Sequence, residues 1–283
     1  MSNETAAKFN TGITPTWCPG CGNYGIWAAL KQALFELGLK SEEVLIVYDI
    51  GCFGNGVNFT KTYAIHSLHG RTLPPAVGAK LGNKRLTVIA LAGDGAAYGE
   101  GIQHLLHTAR YNVDLTYLVA NNQRFSLTTG QASPLTIQGT KTKTTPFGEI
   151  KKPINPLLLS LDTGASWVGR GFAGDIQELT ELIKQAIQHK GFSHLDILQQ
   201  CVSFNKENTL EWYKEVIYKL ASHKYIPDNK IKAVEKAEEF ELNGKMPVGL
   251  FYQDSRETYE DQIPQLEKDI LCARKLEGIN CFE

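Results

Sequence analysis

The chain has 283 residues, of which 42% are hydrophobic and 21% are charged. It is long enough to bury the core of one large α/β domain or two small ones, which excludes a disordered segment and a mini-protein. Its 29 Lys and Arg residues balance 30 Asp and Glu residues. The chain lacks the positive excess with which proteins bind nucleic acids or anionic membranes, so we expect neither partner.

The N-terminal residues and the lack of a long apolar stretch predict a cytoplasmic, soluble protein. Residues 1–5 carry neither the basic start nor the apolar run of a secretion signal. No stretch approaches the roughly 18 apolar residues of a membrane-spanning helix. The chain has six cysteines. Because cytoplasmic thiols are kept reduced, we expect metal ligands or free thiols rather than disulfides.

Apolar periodicity predicts alternating helices and strands over residues 24–198. Three runs have the continuous hydrophobicity of buried parallel strands, and two later runs are weaker candidates. In chain order, the predicted elements are a helix at 24–37, strands at 44–48 and 86–92, a helix at 101–111, strands at 115–120 and around 167–168, a helix at 175–189 and a strand at 195–198. This alternation predicts an α/β fold with a mostly parallel sheet and helices on both faces.

Two segments lack this alternation. Residues 126–156 are rich in Thr, Gly, Pro and Lys and are predicted to form a long loop, which in a compact domain is usually functional. The C-terminal residues carry charged helical patterns at 210–221 and 231–242 and no group of strand-like runs. We therefore predict a main domain over residues 1–205 and a helical C-terminal extension over residues 206–283.

The most informative pattern lies at the ends of two predicted strands. Gly93-Asp94-Gly95 follows one strand and Asn121-Asn122 ends the next, with 25 residues between the motifs. Glycines at a strand end let the backbone approach a diphosphate, and open α/β sheets bind ligands there. Asp94 and Asn122 would offer the oxygen donors that Mg²⁺ takes together with phosphates. A dinucleotide site fits less well because Tyr98 stands where its fingerprint needs a small residue. A glycine turn with an Asp helix cap is the remaining alternative.

This spacing resembles the signature of thiamine-diphosphate enzymes. In that signature the Asp and the second Asn bind the metal ion through their side chains. The residue two positions further on binds it through its carbonyl group. The resemblance therefore implies that Asp94, Asn122 and Arg124 hold Mg²⁺.

Four cysteines are predicted to lie near the same edge of the sheet. Two of them form a Cys-x-x-Cys pair with no strand before it, which disfavours a thioredoxin-like redox motif. The other two each follow a predicted strand. The four residues are Cys18, Cys21, Cys52 and Cys201. Four thiolates can bind a [4Fe–4S] cluster or a structural zinc ion, and spacing alone does not decide between them. The remaining two, Cys272 and Cys281, are predicted to be ordinary thiols.

Motifs over residues 15–206 resemble the β subunit of 2-oxoacid:ferredoxin oxidoreductases, in family order. They are Trp17-Cys18-Pro19-Gly20-Cys21-Gly22-Asn23, Ile50-Gly51-Cys52, residues 65–71, Gly93-Asp94-Gly95, residues 127–134, residues 142–146 and residues 200–205. The resemblance implies a thiamine-diphosphate-binding fold over residues 1–205. It also implies that the four cysteines hold a [4Fe–4S] cluster close to the cofactor.

The resemblance also assigns residues to the cofactor. Those implied around thiamine diphosphate are Ile50, Gly51, Cys52, Phe53, His69, Gly95, Ala96, Ser126 and Leu127. Two departures from the family pattern lie among them. The family follows Gly-Asp-Gly with Asp-Ala, where this chain has Ala96-Ala97. It has Tyr-Gly-Leu-Thr where this chain has Phe125-Ser126-Leu127-Thr128. We expect the side chain at position 126 to reshape the loop along the diphosphate.

An enzyme of this family needs a second subunit. The family's α subunit supplies the carboxylate that activates the thiamine ring, so we expect a heterodimer or a dimer of heterodimers, and an inactive isolated chain. The resemblance implies coenzyme A-dependent oxidative decarboxylation of a 2-oxoacid, with electrons passed through the cluster to ferredoxin. We expect 2-oxoglutarate as the first substrate and pyruvate as the second, with Asn55 as a candidate substrate-pocket residue. A non-redox thiamine-dependent decarboxylase half with structural zinc, and a non-catalytic nucleotide-binding module, are the alternatives.

Overall fold

The fold is built on an eight-stranded, mostly parallel sheet. The computed structural model describes residues 5–267 and 270–273. Its strands are β1 (Val44–Tyr48), β2 (Tyr63–His66), β3 (Thr87–Gly93), β4 (Leu115–Asn121), β5 (Arg124–Phe125), β6 (Gln131–Ala132), β7 (Trp167–Phe172), β8 (Phe192–Leu198), β9 (Ile217–Lys219) and β10 (Met246–Gln253). The main sheet has the order β2-β1-β3-β4-β8-β7-β10-β9, and β5 pairs with β6 in a small separate sheet.

Helices cover both faces of this sheet. The α-helices of the described residues are α1 (Asn23–Glu36), α2 (Leu73–Gly82), α3 (Ile102–Tyr111), α4 (Pro156–Thr163), α5 (Ile176–Gln188), α6 (Leu210–Val216) and α7 (Lys230–Asn243). One buried apolar cluster joins the sheet to α2, α3, α4 and α7, and a second joins it to α1 and α5. Across residues 5–267 and 270–273, none of the helices combines the length and the apolar character needed to cross a membrane.

The parallel order follows from the apolar strands. All residues of β1 and β4 are buried, as expected for strands covered on both faces. Strand β1 pairs in parallel with β3, β3 with β4, and β4 with β8. The carboxyl ends of these four strands therefore lie at one edge of the sheet, and the loops that follow them meet there.

The predicted α/β architecture is confirmed, while two helices between strands were not predicted. Helix α2 begins at Leu73 and has Pro74 and Pro75 in its first turn, where a missing N–H group costs nothing. Helix α4 also has a proline in its first turn, Pro156, and Asn155 caps it. Both are short, so the apolar pattern alone does not separate them from loops.

The C-terminal segment differs from the predicted helical extension in one respect. Besides α6 and α7, it contributes β9 and β10, which extend the main sheet beyond β7. Strand β10 pairs antiparallel with β7, and Pro247 and Gly249 within it hide its strand character in the sequence. The proposed division into residues 1–205 and 206–283 stays a prediction.

Candidate active site

The loops after β3 and β4 border one cavity. Gly93 of β3 pairs with Ala120 of β4, so Asp94 and Asn122 follow neighbouring strand ends, as the sequence predicts. Both residues and Arg124 line a cavity of about 430 Å³, which we call the strand-end cavity. Its volume lies within the range of about 300–1,000 Å³ that is typical of cofactor pockets.

All residues assigned to the cofactor by resemblance line the strand-end cavity. They are Ile50, Gly51, Cys52, Phe53, His69, Gly95, Ala96, Ser126 and Leu127. Their contacts with a cofactor stay predictions. The other lining residues that the resemblance did not assign to the cofactor include Glu100, Phe125, Thr128, Gln131, Ala132, Thr144 and Gln199. Most of these come from the long loop over residues 126–156, where the motifs at 127–134 and 142–146 contain them without assigning them a role.

Two glycines shape the wall of this cavity. Gly51 has a φ of +134°, which side-chain-bearing residues rarely adopt. A Cβ atom at position 95 would lie 2.3 Å from the ring of Phe125, which also lines the cavity. A Cβ atom at position 51 would meet nothing within 4 Å, so the backbone there is open, whereas the Phe125 ring occupies the place of a side chain at position 95.

Replacing Gly95 with Ala is expected to displace the Phe125 ring and to weaken cofactor binding about tenfold or more. Overpacking costs about 1–3 kcal/mol, and about 1.4 kcal/mol corresponds to a factor of ten in affinity. The measurement is calorimetric titration of thiamine diphosphate and Mg²⁺ into the assembly of this chain with its partner subunit. In the F125A background, where there is room for the new methyl group, G95A should have little further effect. Equal affinities for wild type and G95A would contradict this account of the wall.

The carboxyl group of Asp94 suits a cation. It is 1% exposed, and Ser133 Oγ donates a 2.6 Å hydrogen bond to its Oδ2 atom. Burial raises the pKa of this carboxyl group to about 7, and the Ser133 hydrogen bond opposes that rise. A divalent cation would favour the ionised form. One carboxylate, the Asn122 amide oxygen and a backbone carbonyl are a donor set that fits Mg²⁺.

A tight turn holds the side chain of Asn122. Gln123 has a φ of +60°, in the left-handed region, and the Arg124 N–H group donates to Asn122 Oδ1 at 3.0 Å. The guanidinium of Arg124 donates to the Gln123 carbonyl at 2.7 Å and to Thr136 Oγ1 at 3.3 Å. The side chain of Arg124 therefore braces the turn from within.

A buried polar network lies beneath both segments. Asp196 on β8 accepts hydrogen bonds from Tyr98 at 3.0 Å, Asn121 at 3.1 Å and Arg170 at 3.3 Å. Tyr98 belongs to the turn that follows Asp94, and Asn121 directly precedes Asn122, so Asp196 ties the two segments together. The Tyr98 hydroxyl also lies 2.9 Å from His194 Nε2.

His194 is expected to make the fold sensitive to acid. Burial, and secondarily Arg170, lowers the pKa of His194 to about 3. An unfolded histidine takes up a proton near pH 6.5, whereas the folded one does not. The contribution of neutral, buried His194 to the free energy of unfolding is therefore complete above about pH 6.5. It is lost as the pH falls towards 3, by up to roughly 5 kcal/mol. Urea unfolding of H194Q should show a flatter free energy of unfolding between pH 6.5 and 4. The same slope in wild type and H194Q would exclude this role.

A second cavity adjoins the strand-end cavity. It has a volume of about 170 Å³, and we call it the cysteine cavity because it is lined by the four cysteines predicted as ligands, Cys18, Cys21, Cys52 and Cys201. Four residues line both cavities, namely Cys52, Asn122, Ser126 and Leu127. The exposed Cys272 lines neither of them, and the other predicted ordinary thiol, Cys281, lies outside the described residues.

The loops that carry these cysteines are tied together. Trp17 Nε1 donates a 2.6 Å hydrogen bond to the carbonyl of Cys52. The Gly22 N–H group donates to the carbonyl of Gln200 at 3.2 Å. A Cβ atom at position 22 would lie 2.6 Å from Cβ of Gln199, so glycine is needed where the loops of Cys21 and Cys201 meet.

The thiols of this cavity influence one another. Burial, aided by the neighbouring cysteines, raises the pKa of Cys21 to about 12 and that of Cys52 to about 11. A cationic group would reverse this by favouring the thiolates. Among residues 5–267 and 270–273, no three His, Cys, Asp or Glu side chains converge tightly enough for a single metal ion.

Two other predicted positions have different surroundings. Asn55 lines the cysteine cavity and is not among the residues that line the strand-end cavity, so its substrate role stays a prediction. His69 lines the strand-end cavity, and its Nδ1 atom lies 3.4 Å from Glu100 Oε2. His66 contacts the carbonyl of Asp49 through Nε2 at 3.1 Å, which fits a scaffold role.

Two family models match the chain in succession. The model described as "Thiamine pyrophosphate enzyme, C-terminal TPP binding domain" matches residues 49–197. The model for the C-terminal part of the pyruvate ferredoxin oxidoreductase beta subunit matches residues 201–268. The first match contains Asp94 and Asn122, and the second begins at Cys201.

Similar proteins are known from archaea and bacteria. The 2-oxoacid:ferredoxin oxidoreductase subunit beta of Saccharolobus solfataricus is 42% identical over 262 residues, which cover 88% of this chain and 85% of that protein. The 2-oxoglutarate oxidoreductase subunit KorB of Mycobacterium tuberculosis is 41% identical over 202 residues, which cover 71% and 54%. A solved structure of the 2-oxoglutarate:ferredoxin oxidoreductase from Magnetococcus marinus superposes with a TM-score of 0.88 at 36% identity, covering 92% and 88%. The chain therefore belongs to the β subunits of the 2-oxoacid:ferredoxin oxidoreductases, a family of oxidoreductases with a thiamine-diphosphate-binding domain.

Proposed function

We propose that this chain binds Mg²⁺ and thiamine diphosphate in the strand-end cavity and a [4Fe–4S] cluster in the cysteine cavity. With an α subunit, it converts a 2-oxoacid, coenzyme A and two oxidised ferredoxins into acyl-coenzyme A, CO₂, a proton and two reduced ferredoxins. One observation carries the proposal: the two cavities share the wall formed by Cys52, Asn122, Ser126 and Leu127. A cofactor that gives up electrons and a cluster that accepts them need such adjacency.

The proposed roles follow from the donor atoms in the strand-end cavity. Bound thiamine diphosphate supplies the electron sink for decarboxylation. The side chains of Asp94 and Asn122 and the carbonyl of Arg124 would hold Mg²⁺. The backbone of Gly51 and Gly95 would lie along the cofactor, together with the other residues assigned to it by resemblance.

Exposed apolar side chains around the strand-end cavity support a partner subunit. Ile50 and Leu127 line the cavity and are exposed, and Leu68, next to His69, is 76% exposed. Contiguous apolar side chains around a pocket mark a surface that another protein covers. Within the described part of the chain, the carboxylates that line this cavity are Asp94, assigned to the metal, and Glu100, which pairs with His69. We therefore assign the activating carboxylate to the α subunit.

The cysteine cavity extends towards the protein surface. Cys201 is buried and its Sγ atom lies 3.2 Å from Ser126 Oγ, in the wall between the two cavities, whereas Cys18 is exposed. A cluster held by Cys18, Cys21, Cys52 and Cys201 would therefore reach from the cofactor to solvent. We propose that ferredoxin collects electrons at the exposed side of Cys18.

The substrate preference that we propose is 2-oxoglutarate first and pyruvate second. It is supported by the Magnetococcus marinus structure, which is described with 2-oxoglutarate, coenzyme A and succinyl-CoA bound. Of the described residues, the cationic side chain lining the strand-end cavity is Arg124, whose guanidinium is held within its own turn. Binding of the second carboxylate of 2-oxoglutarate is therefore expected to involve the α subunit.

The proposal is tested by co-producing the chain with its α subunit without oxygen and measuring coenzyme A-dependent reduction of ferredoxin. The assembled enzyme should have a higher kcat/KM for 2-oxoglutarate than for pyruvate, and the isolated chain should be inactive. Release of CO₂ without ferredoxin reduction would instead support the non-redox decarboxylase. Turnover by the isolated chain would contradict the two-subunit site.

A further inference from the structure

Ser126 stands between the two cavities and contacts a proposed ligand residue of each. Its Oγ atom lies 3.2 Å from Cys201 Sγ and 3.3 Å from Asn122 Oδ1. The residue is 6% exposed, so water has little access to these contacts. Ser126 therefore joins a sulfur atom assigned to the cluster to an oxygen atom assigned to Mg²⁺.

The hydroxyl group of Ser126 has one proton and two acceptors within reach. The amide oxygen of Asn122 has two lone pairs, and the Arg124 N–H group already donates to it at 3.0 Å. A cation bound to the same oxygen would occupy the second lone pair. When the metal site is filled, the Ser126 hydroxyl group therefore donates its hydrogen bond to Cys201 Sγ.

We propose that Ser126 raises the reduction potential of the cluster by donating its hydrogen bond to the sulfur of Cys201, an inference that rests on the function proposed above. Each electron accepted by a cluster adds negative charge, part of which lies on the cysteine sulfur atoms. A hydrogen-bond donor stabilises that charge, and such bonds are one of the factors that set cluster potentials. Because the contact is buried, the low local dielectric strengthens it and water does not easily replace it.

A second serine provides a matched comparison. Ser203 Oγ donates to Cys18 Sγ at 3.1 Å, so the donor, the acceptor and the distance are nearly the same. Both Ser203 and Cys18 are exposed. Water can replace the Ser203 hydroxyl when it is removed, so its loss should change the potential less than the loss of Ser126.

The test is a redox titration of the cluster in the anaerobic assembly with the α subunit, followed by electron paramagnetic resonance. With thiamine diphosphate and Mg²⁺ bound, S126A should move the midpoint potential to a more negative value, and by more than S203A does. S126T keeps a hydroxyl group and should have the same midpoint potential as the wild type. The reduced wild-type cluster should also show a hyperfine coupling to an exchangeable proton that S126A lacks.

The outcomes separate this inference from the function on which it rests. A wild-type assembly without iron would overturn the proposed function. A wild-type assembly that holds the cluster, with S126A at the wild-type potential, would overturn the role of Ser126 alone. If S126A loses the cluster, S126G takes its place in the titration. If neither variant assembles it, the wild-type spectrum decides, and the absence of an exchangeable proton coupling would overturn the inference.

Discussion

Replacing Asp94 with Asn is expected to lower 2-oxoacid oxidation by the two-subunit enzyme at least about 100-fold. The change removes the anionic ligand proposed for Mg²⁺ in a site where Asp94 is 1% exposed. Removing one partner of a buried charge pair costs about 3–5 kcal/mol, and about 1.4 kcal/mol corresponds to a factor of ten. The loss should appear as weaker binding of thiamine diphosphate in the presence of Mg²⁺, measured by calorimetric titration.

The matched control for D94N is D175N. Asp175 caps α5 by accepting a hydrogen bond from the Glu178 N–H group, and it lines neither the strand-end cavity nor the cysteine cavity. Asparagine is also a good N-cap residue, so D175N should bind cofactor and turn over as the wild type does. An affinity of D94N within a few-fold of the wild-type value would remove Asp94 from the metal site.

Replacing Cys201 with Ala is expected to abolish ferredoxin reduction and to lower the iron content of the enzyme. Cys201 lines the cysteine cavity but is not among the residues that line the strand-end cavity. The variant should therefore lose the cluster and keep its affinity for thiamine diphosphate. Iron analysis and calorimetric titration on the same sample separate the two properties, and ferredoxin reduction should fall at least about 100-fold because a cluster needs its cysteine ligands.

C272A is the matched control for C201A. Cys272 is exposed and lines neither cavity, so its removal should change neither the iron content nor the activity. Full iron content in C201A would show that Cys201 is not a ligand. Loss of iron in C272A would place a cluster ligand outside the cysteine cavity.

The strand ends that build the site could be predicted from the sequence because their signals are local. Strand β1 has the predicted bounds, β3 is shifted by one residue at both ends, and β4 is longer by one residue at its C-terminal end. Continuous apolar runs of this length are typical of buried parallel strands. Once β3 and β4 are neighbours, Asp94 and Asn122 must meet at the same edge, and motif spacing suffices to place them.

The remaining wall could not be predicted because it depends on tertiary contacts. Gln131 and Thr144 reach the strand-end cavity from a loop without apolar periodicity. Gln199 follows β8, and nothing in its immediate sequence marks it. Asn55 follows Cys52 by three residues and lines the cysteine cavity, while Cys52 lines both cavities. Short sequence distance does not determine which side of a shared wall a side chain faces.

The central claim, that a cofactor and a cluster lie side by side in this chain, is tested most directly by the visible spectrum of the anaerobic assembly with the α subunit. The spectrum and the iron content are recorded before and after addition of 2-oxoglutarate with coenzyme A. We expect a brown protein with about four iron atoms per chain, which is bleached when the 2-oxoacid is added. A colourless protein that holds zinc in place of iron would contradict the account.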